Sequence, residues 1–440
     1  MNSLSFRHFG WVFLLIFMVS GCSGSYYDTM HEVQYAVQAG DYQRADELLA
    51  QEKDLAEGKD RVLYLLDKGL IAYLNGQYRE SNRVFEEAAF LIEQLDYLSI
   101  TGTASEWIIN ETTQPYKGED FERVMVYYYM ALNYLMLGEL EDALVECRRL
   151  NNVLLALNDR YENKNVYKTD AFILYLSGLI YDAMGAVNDA FIDYRHAYDT
   201  YLSDYREYYG TPVPTQLLEN LLRTSSSLGF QEYFDTYARQ FQGDYWPTQQ
   251  EYRESARLVV IWDNGLVPYK AQWIFREYLE LGDDAEEGCY VKFAFPEFVR
   301  RIPSYTQATV LVEGTTRPLE LAEDVSQIAI KNLEDRRLRT FAKALTRNIF
   351  KCTAEYELKD RNELLGWLFT LVTEVTEQAD TRSWLLLPAD IHITQILVPS
   401  GVSDVEIMFS NQFGQVVHSQ KYSNMTFERG KTTFLLQRTF

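Results

Sequence analysis

Residues 121–150, FERVMVYYYMALNYLMLGELEDALVECRRL, hold two amphipathic helical patterns that meet at Leu137-Gly138-Glu139. Ala131, Tyr134 and Leu135 share a face of the first pattern, and Leu140, Ala143, Cys147 and Leu150 share a face of the second. Small side chains at Ala131 and Ala143 let two backbones approach closely. With a glycine between the patterns, the stretch predicts an antiparallel helical hairpin.

Aligning the turn glycines shows that the hairpin repeats. One unit carries Ala36, Gly40, Tyr42, Ala45 and Leu49, and another carries Gly69, Ala72, Gly76, Tyr78, Phe85 and Ala88. The opening stretch is the third. The fourth, with Gly178, Tyr181, Gly185, Ala190, Tyr194 and Ala197, is the most regular. These spacings resemble the tetratricopeptide repeat. A degenerate fifth unit over 217–241 keeps Gly229 and predicts the cap of the stack. Insertions at 97–120 and 158–168 make the glycine spacing unequal. For the first insertion a functional loop and simple packing over the repeat ends stay equally open, whereas the second is expected only to pack. The tyrosine-rich 198–214, YDTYLSDYREYYGTPVP, predicts a helix continuing the fourth unit and then a proline-marked break.

Near Arg257 the pattern becomes strand-like. Leu258-Val259-Val260-Ile261-Trp262 is an apolar run closed by Asp263-Asn264-Gly265, a strand followed by a turn. Residues 291–295 and 308–313 predict further strands, and 391–398, 405–409, 415–422 and 432–437 predict antiparallel meander pieces. Helical patterns at 325–353 and 362–379 lie between the two groups. The second contains LLGWLFTLV, apolar nearly all round but too short to span a bilayer, and is expected in the domain core. The predicted fold class is multidomain. An all-α tetratricopeptide-like solenoid over 22–250 precedes an α+β domain over 251–440, in which antiparallel strands flank an inserted helical pair.

Residues 1–21 stand apart. Arg7 and His8 precede the apolar run 9–19, and Val19-Ser20-Gly21-Cys22 follows. That run has the length and flanks of a secretory signal rather than of a membrane span. Small residues before a cysteine resemble the bacterial lipobox, whose cleavage leaves Cys22 as an acylated N-terminus. Ser23, in place of Asp, resembles the signal for export to the Gram-negative outer membrane. At about 0.8 kcal/mol per buried methylene, several acyl chains anchor such a protein durably.

A formal net charge of −23 argues against broad electrostatic binding to nucleic acid or anionic lipid. Hydrophobic content of 47% excludes a largely disordered chain. Four cysteines in 440 residues are not a disulfide framework. Cys147 occupies a buried repeat position as an apolar filler, while pairing of Cys289 with Cys352 is left open by the sequence. There is no glycine-rich phosphate loop, nucleophile elbow, paired CxxC or helical HExxH. His31, His196, His392 and His418 are scattered. Asp283, Asp284, Glu286 and Glu287 lack the alternating spacing of a calcium loop and read as a solvated turn. No catalytic residue, metal or cofactor is expected.

Six passages together resemble one family of bacterial lipoproteins with an N-terminal tetratricopeptide region. They are 61–69 (RVLYLLDKG), 116–137 (YKGEDFERVMVYYYMALNYLML), 208–214 (YYGTPVP), 263–270 (DNGLVPYK), 332–336 (NLEDR) and 377–391 (EQADTRSWLLLPADI). Asp390 stands where the family has glutamate. The resemblance implies a periplasm-facing, membrane-tethered protein without assigned catalysis. The expected function is a non-enzymatic outer-membrane scaffold or adaptor. An envelope protein or peptide segment would lie in the repeat groove, membrane attachment would run through Cys22, and no nucleic acid would be involved.

Tyr134, Tyr181, Arg382 and Trp384 are the candidate interaction residues. Arg382 can pair with Asp380 or Glu334 and turn Trp384 inward, or that corner can be the recognition surface. Two rival readings stay open. A peptidoglycan- or glycan-binding module requires Trp262, Trp367 or Trp384 exposed in a groove. An envelope hydrolase requires clustered acidic or histidine residues in a pocket of the second domain.

Overall fold

The computed structural model describes residues 26–100, 111–159, 167–280, 288–336 and 378–440. Expectations for the signal and Cys22, the acidic run 283–287, Cys352, and Trp367 with its helix lie outside the described residues.

Helical hairpins open the described chain. α1 (Tyr26–Gln38) and α2 (Tyr42–Gln51) form the first, followed by the short α3 (Lys53–Glu57). Next come α4 (Arg61–Leu74) with α5 (Tyr78–Ile100), and α6 (Asp120–Leu137) with α7 (Leu140–Asp159). α8 (Ala171–Ala183) with α9 (Val187–Thr200) and α10 (Thr215–Leu228) with α11 (Gln231–Gln240) complete the array. Gly138 ends α6 at φ 75°, a left-handed conformation that a side chain would strain. Gly178 has a different role: a Cβ there would come within 2.5 Å of the Tyr194 ring, so a bare backbone lets α8 close onto α9. Beyond α9 the chain continues as a π-helical segment, Tyr201–Tyr209, whose rings Tyr201, Tyr205 and Tyr209 stack edge to face at 5.2 Å intervals.

The short α12 (Gln249–Glu254) leads into β1 (Ala256–Asn264). β2 (Tyr269–Glu280) and β3 (Gly288–Val299) form a two-stranded hairpin of their own. β4 (Gln307–Val312), β5 (Thr315–Pro318) and β6 (Glu320–Glu323) follow, then a helix over 325–336. β7 (Asp390–Val398), β8 (Gly401–Ser410), β9 (Val416–Phe427) and β10 (Thr432–Thr439) close the fold. One sheet has the order β10-β1-β7-β6 and another the order β5-β4-β8-β9.

The C-terminal strands do not all belong to one meander. β8 and β9 pair antiparallel in the second sheet, but β10 crosses back and runs parallel to β1, from Arg257 opposite Thr432 to Asn264 opposite Thr439. The crossing is pinned where the Gly430 N–H donates to the Ser255 carbonyl at 2.9 Å. Strand β2, in the sequence YKAQWIFREYLE, was not anticipated.

All nine residues of β1 are buried. Leu258, Val260 and Trp262 face the second sheet, among Val310, Ile407 and Phe409. Val259 and Ile261 turn the other way and join the helical core. A strand covered on both faces reads as a continuous apolar run, which is what residues 258–262 are. The result is three layers: helical repeats, first sheet, second sheet. Secondary structure changes character near residue 250, but the core does not stop there. A single apolar cluster runs from Met30, Leu66 and Leu221 to Ile261, Trp384 and Ile393.

Candidate functional site: the seam between repeats and sheet

The first helices of the hairpins face the first sheet and the segment leading into β7. At one end, Glu119 and Glu122 form a capping box at the start of α6, and the Glu119 N–H donates to Glu122 Oε2 at 3.0 Å. Glu122 also accepts the Tyr116 hydroxyl at 2.6 Å and, through Oε1, the Trp384 N–H at 2.7 Å. One carboxyl thus caps its own helix and fixes a segment distant in sequence. Burial lifts Glu122 to about 7, with Lys270, Tyr116 and the Trp384 N–H opposing the rise. Glu119 pairs with Lys270 at the root of β2 and with Arg336.

Arg382 is the hub beside this cap. It donates to both oxygens of Asp380, at 2.9 and 2.6 Å, to Asp60 at 2.7 Å and to the Gln114 carbonyl at 3.0 Å. Burial alone would raise the Asp380 carboxyl, but the Arg382 hydrogen bonds outweigh it and hold Asp380 below its usual value. Nearby, the Tyr26 hydroxyl of α1 donates to Asp67 of α4, and burial pushes Asp67 up to about 8.

In the middle of the seam, Tyr128 and Tyr129 of α6 donate to the two oxygens of Asp263 in β1, at 2.7 and 3.0 Å. Trp384 is wedged between Phe85 and Tyr129, with ring centroids 5.9 and 6.0 Å away. Farther along, Asp170 caps α8 through the Ile173 N–H at 2.8 Å and accepts the Tyr167 hydroxyl at 2.7 Å. Asp170 and Glu323 of β6 share a hydrogen bond, and burial raises both carboxyls. At the far end Gln216 of α10 donates to Thr394 at 2.7 Å and Asn220 donates to Gln395 at 3.1 Å, both acceptors in β7.

The structure decides between the two readings of the 380–384 corner. Trp384 turns inward and Arg382 is buried beside it, held by the cap carboxylate and Asp60, so this corner is not a recognition surface. Of the partners anticipated for Arg382, Asp380 is engaged and Glu334 instead pairs with Lys331. Tyr134 is half-buried against the helical core, and Tyr181, also partly buried, accepts from Arg148 at 2.6 Å. Among the described residues neither tyrosine shares a hydrogen bond or ring contact with Arg382 or Trp384. The anticipated open groove is closed in this chain, since the first-helix face is packed against the chain's own sheet.

Burial also removes Trp262 and Trp384 as glycan platforms. A cleft of about 350 Å³ lies at the root of the β2–β3 hairpin, between Trp273, Phe298, Ile330 and Leu333. Among its described lining residues the acidic groups are Glu297 and Glu334, with no histidine beside them. Among the described residues no group of three or more His, Cys, Asp or Glu side chains could hold a metal ion. Burial raises the Cys147 thiol well above its usual value.

Sequence reasoning missed Glu122, Tyr128, Tyr129, Asp263 and Lys270 as a set. A signal did exist. Five of the six passages that carry the lipoprotein resemblance, or a residue adjoining them, meet here, with Asp60 just before the first. Glu122, Tyr128 and Tyr129 come from the second, Asp263 and Lys270 from the fourth, Arg336 from the fifth, and Arg382 and Trp384 from the sixth.

No family model matches the chain. No curated protein matches it either. Among solved structures it is similar to the nearly identical TPR-like repeats of a kinesin-light-chain protein of Podosopora anserina, at 15% identity and a TM-score of 0.31 over 48% of this chain and 91% of that one. It is similar to MamA at 16% identity and a TM-score of 0.29, over 47% of this chain and 91% of that one. Apo RapI follows at 13% identity and a TM-score of 0.36, covering 53% of this chain and 58% of that one. The likenesses extend to about half of the chain, and the repeat assignment rests on the chain's own hairpins.

Proposed function

We propose that the chain is a non-catalytic interaction scaffold of the Gram-negative envelope, held at the outer membrane by an acylated Cys22 and facing the periplasm. The observation that supports it best is the seam. Its first-helix face is occupied by the chain's own sheet, so repeats and strands make one ordered body and a partner protein meets the outer, second helices. Those helices expose Phe90 on α5, Val145 and Leu155 on α7, and Ile192 on α9. An already ordered body binds a partner at low entropic cost. No helix among the described residues is long and apolar enough to cross a membrane, and the tether in this reading is the lipid on Cys22.

The test is in-cell crosslinking with azido-phenylalanine, close to tyrosine in size, at Phe90, at Leu155 and at Tyr129 within the seam. One envelope protein captured from both outer positions, with none from Tyr129, is the expected result. A protein captured only at Tyr129 would mean that the sheet leaves the groove, and would overturn the reading. The intact mass of the mature chain should show cleavage before Cys22 and acylation there; an unmodified N-terminus removes the tether.

A further inference from the structure

The β2–β3 hairpin is the one sheet among the described residues whose strands pair only with each other. Each strand has twelve residues, a reach of about 40 Å. Trp273, Ile274 and Phe275 are consecutive on it and exposed at 48%, 42% and 39%. Consecutive strand residues point to opposite faces, so both faces of the hairpin present apolar groups. Trp273 and Phe275 stack 5.9 Å apart with planes only 7° from parallel.

The apolar band continues past the hairpin root. Val299 is exposed, and Ile302 is 94% exposed. Between them and α1 stands Arg301, which donates to Gln34 at 3.3 Å, and the next residue of that helix, Tyr35, is 72% exposed. Trp273 and Phe275 on one face of the hairpin, Ile274 on the other, and Val299, Ile302 and Tyr35 beside its root are thus all exposed apolar or aromatic groups. Exposed apolar groups gathered on and beside one hairpin mark an interaction site, and exposed tryptophan and tyrosine suit a boundary that is apolar on one side and wet on the other.

Where α1 begins says what covers the edge. Its first residue, Tyr26, docks on Asp67, and Glu122 is close enough to feel both Tyr26 and Lys270 at the hairpin root. Cys22 lies four residues earlier in the sequence, a span of at most about 14 Å. A chain tethered there carries this edge within reach of the leaflet.

We propose that the aromatic hairpin, with Ile302 and Tyr35, is a membrane-contacting edge that rests in the headgroup–acyl boundary of a zwitterionic leaflet. This rests on the Cys22 tether. Zwitterionic lipid is specified because the chain has a net charge of −23, and Asp283, Asp284, Glu286 and Glu287 connect the two strands in sequence. Contact is consequently lateral and shallow, as for an amphipathic interfacial element rather than an inserted span.

The experiment uses the whole chain from Ser23 onward, with an N-terminal hexahistidine tag, bound to phosphatidylcholine vesicles that contain nickel-chelating lipid. Attachment then does not depend on acylation. A small fluorescent non-natural residue replaces Ile274 or, as control at the other end of the repeat array, Tyr245. Brominated phosphatidylcholine is expected to quench the label at 274 at least twofold and to leave the label at 245 unchanged. Equal quenching at both sites, or none at 274 on vesicles that carry the protein, overturns the proposal. So does a blue shift at 274 that grows with protein concentration before vesicles are added, which would assign the edge to a second copy. An unacylated Cys22 in cells would sink the natural tether and leave the vesicle result standing, so the two failures are distinguishable.

Discussion

Strand β1 has two neighbours of different chemistry. On one face Leu258, Val260 and Trp262 meet a set of apolar side chains from the second sheet. On the other, Val259, Ile261 and Asp263 meet the repeats, where apolar contacts alternate with Glu122, Asp170, Glu323 and Arg382. An apolar interface accepts small shifts because any close packing serves. A seam of buried acids and cations does not, since a displaced partner leaves a charge or a donor without compensation. The sandwich of sheets supplies cohesion, and the seam selects one seating of the repeats on the first sheet.

The largest effect should come from removing the seam's second side. A chain ending at Gln250 exposes the first-helix face and is expected to lose cooperative thermal unfolding and to aggregate. Circular dichroism and light scattering report both. A cooperative melt within a few degrees of the full chain would show that the repeats do not depend on their cover, and would break the comparison.

Single substitutions sharpen it. Arg382→Ala strands Asp60 and Asp380, and is expected to cost about 3 kcal/mol by urea denaturation. Ile407→Val, inside the sandwich, is expected to cost about 1 kcal/mol. Equal costs would mean that the seam is no more demanding than the apolar face.

The remaining test is a pH slope. Glu122 and Asp67 are raised to about 7 and about 8 in the folded chain, from ordinary values of 4.5 and 3.8. Between those limits the folded chain holds protons that the unfolded chain has released, so stability falls as pH rises. Midpoint denaturation should therefore improve on acidification from pH 8 to about pH 5.5, and Asp67→Asn should flatten the trend. Asp380 acts in the opposite sense, but only in and below the ordinary carboxylate range. An unchanged slope in Asp67→Asn would remove that group from the account.

The hairpins were legible because each is local: Gly138 ends a helix, and Gly178 makes room for Tyr194 one helix later. The apolar run of β1 was legible as a strand, but its unbroken character also signalled cover on both faces, and that half of the message concerns residues far away. Strand β2 was hidden because Trp273, Ile274 and Phe275 interrupt the alternation that marks a strand. The seam was hidden for a stronger reason. Arg382 and Asp60 are 322 residues apart, and no periodicity in the sequence couples such positions.

The parallel pairing of β10 with β1 also sets an order in time. A chain made from its N-terminus completes the helical hairpins long before residues 432–439 exist, and until they arrive β1 has only β7 on one side. Throughout that interval the inner surface of the repeats is an open, sticky nucleus awaiting its lid. The last pairing joins residues 175 apart in sequence, and such non-local contacts slow the final step and lengthen exposure to aggregation. A nascent copy, its last strand not yet made, is the form of this protein most exposed to aggregation.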